Sequence, residues 1–126
     1  MSEAVTVNGF RQRLAAHMAG VATLAPIAYV AFGDGGHKAD MTPKAAGNSA
    51  TALYHEVLRK PLTSISQEDL LSVTGKGVVD SSEIVGGVIS EAGLIDADGH
   101  LVGWKTFAPK FTEEGETYGV TLKLRF

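Results

Sequence analysis

No cysteine occurs in the 126 residues. That excludes disulfides and thiolate metal ligands, and it is compatible with assembly in a reducing cytoplasm. Aromatic residues are sparse at 7%, leaving Trp104 and three tyrosines as platforms for stacking a sugar ring. Net charge is only −3 and the basic residues are scattered, so no field draws the chain to nucleic acid and no such partner is expected. The longest apolar run, Val21 to Phe32, is broken by Thr23 and Pro26 and is too short to span a bilayer. The start of the chain lacks the basic-then-apolar pattern of a signal segment, so no membrane association is expected either. Internal repeats and low-complexity segments are also missing.

What is present is an ordinary globular balance of 44% apolar and 20% charged residues. The length suits a single soluble domain over 1–126, burying roughly two-thirds of the surface of its unfolded chain. "NGFRQRLAAHMAG" spaces Phe10, Leu14, His17 or Met18, and Val21 along one helical stripe. A helix is therefore expected at about 9–19, with Asn8 as its cap and Gly20 just past its end. "IAYVAF" reads as a strand buried on both faces. Residues 33–48, "GDGGHKADMTPKAAGN", follow neither period and predict a long loop, with the glycines serving a strand exit at positive φ. "SATALYHEVLRKP" restores helical spacing and predicts a second helix over about 49–59, closed by Pro61. From 62 to 126 the chain reads as β. "LLSVTGKGVV" suits a strand with a bulge or a close neighbour. Ile84 to Phe107 reads as a hairpin, and "YGVTLKLRF" alternates cleanly with Val120, Leu122, Leu124 and Phe126 on one face.

Asp96, Asp98 and His100 invite a metal reading, but Gly99 directly after Asp98 breaks the spacing of a calcium loop. "DADG" instead matches a type I turn with Gly99 in the left-handed region, giving a structural turn of Asp96, Asp98 and Gly99. That turn implies pairs Ile95–Leu101, Gly93–Gly103, Glu91–Lys105 and Ile89–Phe107, with Glu91 and Lys105 as a cross-strand ion pair. "GDGG" lacks the partners of a phosphate loop, and Ser81 and Ser82 lack a nucleophile motif. No catalytic set, metal or cofactor is expected. The hairpin is expected to be apolar on both faces, with Ala92, Leu94, Val102 and Trp104 on one and Ile89, Ile95, Leu101 and Phe107 on the other. One face would pack on the domain's own helices and the other on a second sheet or a subunit.

Taken in order, the N-terminal helix, "VAFGDGG", the long loop, "TALYHEVLRKPL" and "ISEAGLIDADGHLVGWKTFAPK" resemble the N-terminal domain of bacteriophage tail-collar and tail-fibre proteins. Related small virion proteins of tailed phages share this order, and the resemblance covers about three-quarters of the chain. It implies a non-catalytic tail protein, located in the virion after assembly in the host cytoplasm. Such a protein binds copies of itself, as a trimer or higher ring, and other tail proteins. Ile95 stands where the family usually has an aromatic, and the chain stops at Phe126 where many members continue into a fibre shaft. The expectation therefore shifts toward a baseplate, collar or attachment adaptor. The loop residues Gly33, Asp34, His37, Lys38, Met41, Pro43 and Lys44 are the candidate subunit contact. The expected architecture is α+β, mainly an antiparallel β-sandwich with two helices. The alternatives are a carbohydrate- or receptor-binding module of a virion and a cell-wall hydrolase.

Overall fold

In the computed structural model, which describes residues 4–84 and 87–126, the chain is mainly β with antiparallel pairing throughout. A two-residue strand β1 (Val5–Thr6) leads into helix α1 (Asn8–Met18). There follow β2 (Ile27–Gly33), β3 (Glu56–Pro61), β4 (Ser64–Ser66), β5 (Ser72–Asp80), β6 (Val88–Asp96), β7 (Leu101–Phe111) and β8 (Thr117–Arg125). One sheet has the order β1-β7-β6-β2-β3 and the other β4-β5-β8. Among the described residues no helix is long and apolar enough to cross a membrane.

Both sheets feed one buried cluster. Val30 and Phe32 of β2, Ile89, Ala92 and Leu94 of β6, and Val102 of β7 meet Val79 of β5 and Val120, Leu122 and Leu124 of β8. The period-2 alternation of β8 accounts for its inward three, but Phe126, expected to join them, stands beyond the strand and is 42% exposed. The glycines of β5 allow the close approach. A Cβ on Gly77 would lie 2.4 Å from Val30 Cγ1, so only glycine lets the sheets meet there. At the β3 side Lys60 Nζ ties the two sheets together, donating to Val78 O at 3.0 Å and Glu83 Oε1 at 2.9 Å.

The second helix does not form. Residues 49–55 are irregular, and the expected last turns are strand β3, paired antiparallel with β2 from Tyr29↔Pro61 to Gly33↔Glu56. Pairing with β2 takes up the inward-facing backbone groups of 56–61, while Leu53 enters the cluster around Trp104 with Ala50 packed against it and Tyr54 tilted on Trp104, so these contacts are made without a helix. Helix α1 lies near its expected place, and Gly20 takes φ +75 just past its end. Asn8 is not its cap; Val7 is, without a side-chain bond. None of the helix is buried, and Met18 and Val21 of the expected stripe are 76% and 79% exposed. Only Phe10 packs well, its ring 4.9 Å from that of Phe126.

The β6–β7 hairpin keeps Ile95↔Leu101 but then shifts register, so that Leu94 faces Gly103, Gly93 faces Trp104 and Glu91 faces Thr106. The extra residue is Val102, and the shift displaces the expected Gly93–Gly103, Glu91–Lys105 and Ile89–Phe107 pairs. Ile89 faces Lys110, and Lys105 faces Ala92. Trp104 consequently sits with Ile95, Leu101, Val7, Ala31 and Leu53 in a second buried cluster, away from Ala92, Leu94 and Val102. Val85 and Gly86, within the expected hairpin span, lie outside the described residues.

Candidate functional site

A carboxylate in the middle of an apolar strand organises one face of the larger sheet. Glu91 on β6 is fully buried, and its oxygens accept backbone N–H groups of Gly35 at 3.0 Å, Tyr54 at 2.7 Å and His55 at 2.8 Å. Next to it, Ser90 Oγ accepts the Gly36 N–H at 2.9 Å and meets His37 Nδ1 at 2.8 Å. An unpaired buried carboxylate is very costly, and backbone donors at both oxygens are what make this one tolerable.

The long loop is therefore a lid over its own sheet. Thr106 Oγ1 donates to Lys44 O, Trp104 Nε1 donates to Gly47 O at 3.0 Å, and Tyr54 Oη donates to Ala45 O at 2.7 Å. Lys44 Nζ lies 4.6 Å above the Tyr54 ring, which in turn tilts against Trp104 with centroids 5.3 Å apart. The face expected to need a second sheet or a subunit is covered by the chain itself. The "GDGG" glycines have a different purpose from the one expected. Gly33, Gly35 and Gly36 do not adopt positive φ; they let the loop touch β6. A Cβ on Gly36 would lie 2.4 Å from Ser90 O, and one on Gly33 would lie 2.5 Å from Glu91 Oε2.

The candidate contact residues thus divide. Gly33, Asp34, His37 and Lys44 are engaged with their own chain, Asp34 by an N–H bond to His55 O and a 2.6 Å contact with His55 Nδ1. His37 also bridges to Pro43, and Lys38 N–H donates to Thr42 O at 2.8 Å, making a small hairpin whose tip is exposed. Lys38 and Met41 sit on that tip, and Met41 has φ +68 with half its surface exposed. Asp40 beside it is held below the usual carboxylate range by the Thr42 hydroxyl and then the Thr42 N–H.

Asp96, Asp98 and Gly99 form the turn. Gly99 has φ +88, its N–H donates to Asp96 O at 3.0 Å, and Asp96 Oδ1 accepts from Asp98 N–H and His100 N–H, each at 2.9 Å. Asp96 is buried and Asp98 exposed, so the acids do not converge. Arg13 Nε approaches Asp96 Oδ2 at 3.6 Å, pinning α1 to this corner. Among the described residues no group of three or more His, Asp or Glu is arranged to hold a metal.

Glu91 and Lys105 do not pair. The ammonium of Lys105 instead reaches across to the other sheet and donates to Thr121 O at 2.8 Å. Burial, and then the neighbouring Lys110, hold its pKa below the ordinary lysine value. Beside it opens a groove of about 430 Å³ between β7 and β8, lined by Lys105, Phe107, Lys110, Gly119, Val120 and Thr121. Sequence reading missed this groove because its residues lie on two strands that are not paired with each other. Glu91 had a signal, a lone acid between apolar neighbours in "VISEAGLI", but its donors come from a loop with no periodicity. Set against known proteins, the chain matches no protein-family model and no curated protein.

Proposed function

We propose that this chain is a non-catalytic structural protein of a bacteriophage tail, an adaptor of the baseplate, collar or fibre attachment that binds copies of itself and other tail proteins. In this reading its two antiparallel sheets work as a β-sandwich, a rigid block rather than a scaffold for chemistry. The observation that carries it is an apolar corner left in the open. Leu70 is 88% exposed and Leu71 is 70% exposed, and Phe126, 42% exposed with its ring against Phe10, adjoins Leu71 through an N–H bond to Leu71 O at 2.9 Å. Large apolar side chains clustered at one end of a small sheet are the usual mark of a surface that another subunit covers. The resemblance of the sequence to tail-collar and tail-fibre domains supplies the setting.

The carbohydrate-binding alternative loses its best platform, because Trp104 is only 2% exposed and lies beneath Tyr54. The experiment is the mass of the purified chain in solution, compared with a Leu70→Ser, Leu71→Ser double variant. Self-association of the parent and its loss in the variant are the expected result. A parent that stays monomeric at every concentration contradicts the reading.

A further inference from the structure

The outer side of β8 is open where the groove lies. The carbonyls of Thr121 and Arg125 point away from β5, since one accepts from Lys105 Nζ at 2.8 Å and the other from Thr6 Oγ1 at 2.7 Å. Alternate residues of a strand share a direction, so the backbone of Gly119 faces the same way. At the Arg125 end β1 lies against this edge; at Gly119 among the described residues no strand does. A Cβ on Gly119 would meet nothing within 4 Å. The facing edge of β7 is built against strand addition. Pro109 has no N–H, and Phe107 to Pro109 fall out of register opposite Ser90. The receptive edge is that of β8.

Charge indicates what would be received. Lys105 and Lys110 both line the groove, and among the described residues neither has a carboxylate partner, although the chain as a whole carries −3. Lys110 Nζ stands 5.6 Å over the Phe107 ring. Two cations on an apolar floor, beside the outward main-chain groups of Gly119 and the Thr121 N–H, match an extended segment with acidic side chains: the backbone would supply affinity and the carboxylates selectivity, with Lys105 Nζ moving from the Thr121 carbonyl to a carboxylate.

We infer that β8 receives, at Gly119 to Thr121, an added strand from a partner protein, an extended acidic segment recognised by Lys105 and Lys110. This rests on the adaptor reading, for which it supplies the contact to a different protein, separate from the apolar corner. The test uses the full chain and an acetylated, amidated peptide of about six residues alternating glutamate and valine, a common strand length. A lysine-for-glutamate peptide is the control. The acidic peptide should bind, the control should not, and amide exchange should slow at Gly119 and Thr121. Lys110 is exposed, so Lys110→Glu should fold as the parent does and weaken binding by about tenfold or more. Lys105→Met should weaken it too. Equal binding of both peptides, indifference to Lys110→Glu, or protection elsewhere would overturn the inference. So would a parent chain that self-associates through this groove, shown by Lys110→Glu dispersing it. Binding by the Leu70→Ser, Leu71→Ser variant at parental affinity supports the groove whatever its mass, so failure of self-association and failure of the groove are told apart.

Discussion

Glu91 is the buried anchor of the lid. It closes the lid by accepting three backbone N–H groups from two separate stretches of one loop. Removing the carboxylate strands those donors in a buried site, so Glu91→Ala should destabilise the protein on the order of 3–5 kcal/mol, measured by urea unfolding. Trypsin should then cut after Lys44, which the closed lid half-buries. Glu91→Gln, with one oxygen left to accept, should fall between. A parental melting curve for Glu91→Ala would mean that the lid is held by its other bonds. The Asp96–Gly99 turn gives a second residue-scale test. Gly99→Ala should lose about 1 kcal/mol because Gly99 sits at positive φ, whereas Asp98→Asn, exposed and accepting nothing in the turn, should melt as the parent does. A calcium-dependent melting temperature would contradict the turn.

At the scale of elements, the contact between sheets depends on missing side chains. Gly77→Ala drives a methyl into Val30 and should destabilise by about 1–3 kcal/mol through overpacking, with Val30→Ala partly rescuing it in a double-mutant cycle. Simple additivity of the two changes would count against the close approach. The exposed tip of the lid is different. Shortening Lys38 to Thr42 to a tight turn should change stability by less than about 0.5 kcal/mol, because its bonds are internal to the tip. The elements readable in sequence are those whose order is local. The turn "DADG", the alternation of β8 and the glycine closing α1 each follow from a few adjacent residues. Strand β3 was not legible, because its helical spacing was outweighed by an available edge on β2. Nor was the register of β6 against β7, since one bulged residue, Val102, turns Trp104 to the opposite face. The lid was legible as a loop but not as a lid, for its anchor lies 36 to 56 residues away along the chain.

For the whole molecule, the chain covers one face with its own loop and, among the described residues, leaves exposed the apolar corner of Leu70, Leu71 and Phe126 and the lysine-lined edge of β8, besides the apolar end of α1 at Met18 and Val21. In the adaptor proposed above, the corner and the β8 edge, which differ in chemistry, would meet different neighbours. The proposed self-association rests on the corner. Light scattering across a hundredfold concentration range measures it most directly. The expected mass is a multiple of 13.2 kDa that reverts to 13.2 kDa in the Leu70→Ser, Leu71→Ser variant. A parent of 13.2 kDa throughout, or a variant that assembles as the parent does, contradicts the proposal.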